Sequence, residues 1–289
     1  VPLSISAQME SRLLMFSPNN IFSTANGMPV AAPTQDIVLG CCYLTKEWGQ
    51  TDRVFASLGE VLIAHHAGVI RLHVKIRVRV EGRIINTTCG RVIFNEALPK
   101  GLGFMNKEMG KKGLSDLVAS CYQRLGTYKF LKLLDALKDI GFKYATLGGI
   151  SFSIDDMVIP PDKEMFIQKA RRRVEKVEWE YKRGVITSEE RYNKVIDIWT
   201  RATDRIADAM MEGMMGKGFN SIFLMANSGA RGSRQQIRQL AGARGLMAKP
   251  SGEIIEMPIV ANFREGLNVL VYFISTHGAR KGLADTALK

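Results

Sequence analysis

Two runs of apolar residues in the middle of the chain leave little freedom in how that region folds. Ile167, Ala170, Val174, Val177 and Tyr181 are spaced alternately three and four apart, and Tyr192, Val195, Trp199, Ala202, Ile206 and Ala209 repeat the interval. That spacing puts each run on one stripe of an α-helix, and two such stripes bury each other as an a/d seam. Gly184 supplies a residue that can end the first helix in the left-handed conformation. Thr187, with Glu190 three positions on, forms a capping box that opens the second. A turn of four or five residues joins them, so the pattern predicts an antiparallel helical hairpin over 163–215. At about 1.5 Å per residue, it would project on the order of 30 Å. Charged residues cover its outer faces, as a coiled coil in water requires, and a protrusion of that length offers itself to a partner.

The other elements are shorter. Residues 7–15 read as a helix. The rest of the first fifty, broken by Pro18, Gly27, Pro29 and Pro33, reads as loops with short strands. A second helix is expected at about 53–66. Ile70, Leu72, Val74, Ile76, Val78 and Val80 then alternate with Arg71, His73, Lys75, Arg77 and Arg79, the two-residue repeat of a half-buried strand with a basic outer ladder. Glu81-Gly82 turns the chain into strands at about 83–88 and 90–94. Residues 114–139 read as two helices around a break at Gly126, and 145–161 as loop or strand. The expected class is α+β: a small β region with helices, the antiparallel two-helix hairpin, and a long C-terminal helix.

Charge narrows the partners. Of 40 Lys+Arg and 28 Asp+Glu, residues 1–154 hold 18 and 11, residues 155–216 hold 12 and 13, and residues 217–289 hold 10 and 4. Two basic ends around a neutral middle suit anionic partners, nucleic acid or nucleotide phosphates, at the ends only. The longest apolar run, around Leu267–Ile274, holds Asn268 and stops at Ser275, too short to span a membrane. Cys41 and Cys42 are adjacent while Cys89 and Cys121 stand alone. With no C-x-x-C pair, structural zinc is not expected, and a reducing cytoplasm suits four such cysteines. His65-His66 is a poor metal pair, because helix neighbours point about 100° apart. The chain opens without an initiator Met and stops inside an apparent helix, so it reads as a segment of a longer one.

Two stretches are built for close backbone approach. Asn227–Gly252 packs small residues around Arg231, Arg234, Arg244 and Lys249, which makes surroundings suited to an anion, although no P-loop pattern occurs. The last segment carries Gly278 and Gly282 four apart, each costing about 1 kcal/mol in a helix interior, beside His277, Arg280 and Lys281.

These stretches carry a resemblance. Asn220-Ser-Ile-Phe-Leu-Met-Ala-Asn-Ser-Gly-Ala-Arg-Gly-Ser233, continued by Gln236–Glu256, resembles the F-loop region of bacterial-type DNA-directed RNA polymerase β′ subunits. Ile274-Ser-Thr-His-Gly-Ala-Arg-Lys-Gly-Leu-Ala-Asp-Thr-Ala-Leu-Lys289 resembles the N-terminal half of the bridge helix in that family. Val1-Pro-Leu-Ser with Pro33-Thr-Gln-Asp-Ile-Val-Leu-Gly40 resembles the stretch after its magnesium-binding aspartate loop, and Glu190–Trp199 its second rim helix. The matches keep family order and cover nearly the whole chain. Val271, His65-His66, Ala243 and Cys41-Cys42 depart from common family residues.

The resemblance implies a part of the polymerase that makes RNA from nucleoside triphosphates on template DNA. It divides the chain into a pore, or secondary-channel, domain (1–154), a funnel with the rim-helix hairpin (155–219), an F-loop region (220–261) and the start of the bridge helix (262–289). It places Gln35 and Arg231 near incoming or backtracked nucleotides, and Thr276, His277, Arg280 and Lys281 in the bridge helix beside substrate and nucleic acid. It places Asn193, Lys194 and Asp197 on the rim helices, where regulators of the transcript-cleavage type dock. The implied partners are the β, α, ω and sigma subunits, template DNA, RNA and NTPs, with no membrane, in a bacterial cytoplasm at the nucleoid or in a plastid. The aspartate loop is absent, so no catalytic residue is expected here. Magnesium belongs to the whole polymerase rather than to this segment, and the segment alone is expected to be inactive. The other reading of the same features is a free-standing basic nucleic-acid-binding module with a coiled-coil interaction arm.

Overall fold

The computed structural model describes residues 2–215, 219–249 and 251–288. The two ends of the resemblance, Val1 and Lys289, and Pro250 of the F-loop stretch lie outside the described residues. The fold is α+β, with ten α-helices and a three-stranded sheet among the described residues. It divides into two compact units: residues up to Ile150 with Asn227–Arg231, and Ser151–Ala226 with the residues from Gly232 on.

In the first unit, α1 (Ile5–Leu14) starts at Ser4, whose hydroxyl accepts from the Ala7 N–H at 3.2 Å; none of its residues is buried. α2 (Gln35–Thr45) follows, then β1 (Gln50–Phe55), α3 (Leu58–His66) and β2 (Lys75–Val80). β1 and β2 pair in parallel across α3, with a register irregularity after Gln50. β3 (Arg83–Thr88) returns antiparallel to β2 through Glu81 and Gly82, both at positive φ, so β2 is the central strand. α4 (Cys89–Glu96) and α5 (Lys111–Gly148) complete the unit, α5 interrupted by Gly126 at φ 76° and ψ 178°.

Several elements differ from the sequence reading, and the strand expected from Ile70 begins only at Lys75. The first fifty residues contain α2, which is apolar nearly all round and so carries no amphipathic signal; its Val38, Gly40, Cys41, Cys42 and Leu44 are buried. Residues 50–55 are strand, and α3 starts only where the Ser57 hydroxyl accepts from the Glu60 N–H at 3.3 Å. Residues 90–94, expected as strand from their β-branched content, are helical because Thr88 Oγ1 caps α4 from the Arg91 N–H at 3.2 Å. At α4 capping, a local hydrogen bond, outweighs strand propensity, and at α3 it fixes where the helix begins.

α2 packs on α5 backbone to backbone. A Cβ added at Gly40 would lie 1.8 Å from the Gly141 carbonyl oxygen, and one added at Gly141 would lie 2.7 Å from Ile37 Cα. Around this crossing Val38, Leu44, Phe94, Leu114, Phe130 and Leu137 form one apolar core, while Val61, Ile76, Val78 and Val92 form a second beneath the sheet. The basic ladder on β2 is partly spent internally: Lys75 pairs with Glu47 at 3.1 Å, and Arg77 donates to the Asp52 carbonyl at 3.1 Å. Arg91 donates to the Thr45 carbonyl at 3.1 Å and to Asn106 Oδ1 at 3.2 Å, tying the loop before α5 to the core.

Cys41, Cys42, Cys89 and Cys121 are all buried and free. Burial pushes the Cys41 and Cys89 thiols up to about 12 and raises the other two, with the Glu108 carboxylate adding to the effect at Cys42. The thiolate is the reactive form, so the folded chain at neutral pH is expected to react with a thiol reagent such as DTNB roughly a hundredfold or more slowly than the denatured chain. Fast reaction in the folded state would contradict this packing. Ordinary cysteines titrate near 9.0, so above that pH the unfolded chain releases protons that the folded chain keeps. Stability is therefore lost as pH rises from 9.0 toward about 12.

The second unit is led by α6 (Lys163–Lys182) and α7 (Ser188–Met215), the expected hairpin. Ile167, Ala170 and Val177 of one helix and Val195, Trp199, Ala202 and Ile206 of the other are buried; Tyr181, at the seam's open end, is 42% exposed. Gly184 stands at φ 70°, and the Thr187 hydroxyl accepts from the Glu190 N–H at 3.2 Å, while the Glu190 carboxylate turns outward to Lys194 at 2.9 Å. α8 (Ser221–Asn227) and α9 (Arg234–Ala241) follow, the latter opened by a reciprocal Ser233–Gln236 capping box. The stretch after α9 lies along the hairpin: Arg191 grips Glu256 with two hydrogen bonds of 2.7 Å, and the Tyr192 hydroxyl donates to the Ile254 carbonyl at 3.0 Å. The buried Lys163 ammonium bonds both Glu265 oxygens, at 2.8 and 2.6 Å. α10 (Val269–Leu288) ends the described chain, with Ser275 its one buried residue among those described. No described helix is long and apolar enough to cross a membrane.

Candidate functional site

Asn227–Arg231 belong to the first unit, while the residues on either side of them belong to the second. Ser228 is buried, and its carbonyl accepts from the Lys111 N–H at 2.8 Å, at the start of α5. Gly229 stands at φ 72°, where a Cβ would also press on Lys111 Cβ at 3.2 Å, so both conformation and space demand glycine. Beside this junction is an open cleft with Lys111, Lys112, Ser228 and Gly229 among its lining residues.

Arg231 follows directly on this anchored segment and reaches the start of α2, 196 positions away: its Nη2 donates to Gln35 Oε1 at 3.4 Å, and its Nε lies 3.9 Å from Asp36 Oδ1. Both contacts are long, and the Arg231 and Asp36 side chains are 62% and 54% exposed. Such a surface pair contributes little to stability, so the guanidinium is restrained in position without being consumed. Gln35 itself stands at φ 49°, a left-handed conformation that side chains rarely adopt, and Thr34 before it makes no side-chain cap. Strain of this kind costs about 1–3 kcal/mol and tends to collect where a side chain must be aimed.

The two polar residues expected near nucleotides, Gln35 and Arg231, are therefore in contact. Asp36 is a third member that the sequence reading did not single out; its position in the first turn of α2, beside Gln35, was the available signal.

In the second unit, Asn193, Lys194 and Asp197 share one exposed depression on α7 with Thr187, Glu189 and Glu190. Lys194 is paired with Glu190, and Asp197 with Arg201 at 3.0 Å. On α10, Phe273 gathers two expected residues: the His277 ring meets it edge-on at 5.6 Å, and the Arg280 guanidinium lies 5.3 Å from its centroid. Thr276 turns inward on the helix, its hydroxyl donating to the Phe273 carbonyl at 3.0 Å. Lys281 lies on the same helix, exposed. Phe273 was not singled out, although its i, i+4 and i, i+7 spacing to His277 and Arg280 was the available signal. A Cβ at Gly278 or Gly282 would meet no described atom within 4 Å. Among the described residues, no group of three or more His, Cys, Asp or Glu side chains could hold a metal ion.

Two family models match the chain: RNA polymerase Rpb1, domain 3, over residues 20–157, and RNA polymerase Rpb1, domain 4, over residues 186–265. Among similar curated proteins is the DNA-directed RNA polymerase subunit beta' of Methylacidiphilum infernorum, 52% identical across all of this chain and 22% of that protein. Those of Pelotomaculum thermopropionicum and Leptospira biflexa are 53% and 51% identical, again over the full chain, covering 25% and 20% of their lengths. The chain thus spans a quarter or less of the relatives described.

Proposed function

Since the chain belongs to the RNA polymerase Rpb1 and bacterial β′ subunit family, we propose that it serves transcription as the part of a large subunit that lines the secondary channel and begins the bridge helix. In this reading nucleoside triphosphates reach the active centre past Gln35 and Arg231, and α10 supports translocation through Thr276, His277, Arg280 and Lys281. The four divisions at 1–154, 155–219, 220–261 and 262–289 are its pore, funnel, F-loop and bridge portions. The α6–α7 hairpin is its rim, with Asn193, Lys194 and Asp197 facing regulators. The other polymerase subunits, template DNA and RNA complete the working assembly, in the cytoplasm.

The observation that supports this best is the loosely held Arg231 beside a strained Gln35, from segments 196 positions apart. A planar guanidinium, restrained but half free, is suited to pair two phosphate oxygens. Magnesium, which polymerase chemistry requires, belongs here to the aspartate loop of the whole subunit, so no chemical step falls to these side chains, and the segment by itself is inactive.

The test is a chimera. Substituted for its counterpart in the Pelotomaculum thermopropionicum subunit, the chain is expected to yield an assembled polymerase that extends RNA on a template. A chimera that assembles with the other subunits yet makes no RNA would overturn the reading.

A further inference from the structure

The hairpin averages to neutral, but its charge is not evenly spread. One shallow cleft between α6 and α7 is lined by Phe166, Lys169, Ala170 and Arg173 on one helix and Ile198, Arg201, Ala202 and Arg205 on the other. Each set falls at i, i+3, i+4 and i+7, one stripe per helix. The antiparallel pairing sets the two stripes side by side: an apolar floor of Phe166, Ala170, Ile198 and Ala202 with two cations on either side. No carboxylate lines it. Asp197 binds Arg201 at 3.0 Å, while Lys169, Arg173 and Arg205 form no ion pair among the described residues.

Three uncompensated cations on one small patch repel each other and raise the field over the cleft. That arrangement is complementary to negative charge, and arginine adds planar two-point recognition of carboxylates. The cleft is open to solvent, so a carboxylate head can reach the cations on either side of the floor. The adjoining depression on α7 sets Glu189, Glu190 and Asp197 against Lys194 alone, an acidic excess that disfavours a continuous polyanion running along the hairpin.

We infer that this cleft docks a protein partner through an acidic segment, whose carboxylates engage Lys169, Arg173, Arg201 and Arg205 while a short apolar side chain rests on the floor. The inference rests on the hairpin facing partners in the assembled polymerase. RNA synthesis by the unsubstituted enzyme tests that reading separately, since the peptide measurement below does not depend on it.

The experiment measures binding of a fluorescein-labelled ten-residue glutamate peptide to the assembled polymerase by anisotropy, with a ten-nucleotide single-stranded DNA and inorganic phosphate as competing probes. The double variant R173Q/R205Q is expected to weaken the peptide at least tenfold. R173K/R205K keeps the charge and should remain within about threefold of the parent, which separates loss of charge from loss of fold. R172Q and K182Q, exposed on α6 outside the cleft, should leave the peptide affinity unchanged. Peptide binding indifferent to R173Q/R205Q would overturn the inference. So would a larger loss for the oligonucleotide than for the peptide, which would assign the cleft to nucleic acid. Full displacement of the peptide by millimolar phosphate would reduce the cleft to a simple anion site and overturn it too.

Discussion

Gly40→Ala is expected to cost the first unit about 3 kcal/mol or more of stability, enough to move its unfolding midpoint by many degrees. The methyl group would sit 1.8 Å from the Gly141 carbonyl oxygen, and the atoms it meets are backbone of α5, not a side chain that could swing aside. α2 would have to lift from α5, opening the core around Val38, Leu44 and Phe130, all 0% exposed. Gly59→Ala is the matched control. It lies in α3 of the same unit, exposed, and its added Cβ meets nothing within 4 Å. There the substitution should be neutral or stabilise by up to about 1 kcal/mol, because alanine surrenders less backbone entropy in a helix. Urea unfolding of the two variants followed by circular dichroism separates them. Equal midpoints would show that α2 and α5 do not meet as described.

Arg231→Ala carries the second large effect, on function. In the assembled polymerase it is expected to lower kcat/KM for single-nucleotide addition by about 10- to 100-fold, the worth of a charged hydrogen bond of about 1.5–3 kcal/mol. Its contacts to Gln35 at 3.4 Å and Asp36 at 3.9 Å are too long to make it a structural pin, so unfolding midpoints should stay put. Arg231→Lys keeps the charge without the fork and should recover only part of the loss. Gln35→Ala should act less than additively with Arg231→Ala, because the first positions the second. An unchanged kcat/KM in Arg231→Ala would remove this arginine from nucleotide contact.

Much of the second unit could be read directly. The hairpin, its seam, the Gly184 break and the Thr187 cap all rest on residues within one or two helical turns of each other, where spacing dictates geometry. The strand pair around Glu81-Gly82 was equally plain for the same reason. α2 was not, because a helix buried on all sides loses the polar face that marks helical period. Nor were α4, where a single cap hydrogen bond overrode the β-branched residues of 90–94, and the β1–α3 boundary, where the Ser57 cap starts the helix later than the apolar spacing suggests.

The candidate site divides along the same line. Arg231, Gln35 and the α10 residues could be picked out by kind and by resemblance, but not Asp36 beside the arginine, nor Phe273 beneath His277 and Arg280. The basic cleft on the hairpin was hidden by averaging, since residues 155–216 hold 12 basic and 13 acidic side chains. Only the pairing of two stripes shows that Lys169, Arg173, Arg201 and Arg205 share a rim.

By itself, then, the sequence determined the helical hairpin, the β2–β3 turn, the kinds of residue available for chemistry, and the family. Each depends on short-range periodicity or on a contiguous motif. The tertiary structure alone decided that Gly40 faces Gly141, that Arg231 reaches Gln35, and that four cations from two helices surround one floor. These are contacts between distant segments, set by which surfaces bury each other, and no local pattern encodes them.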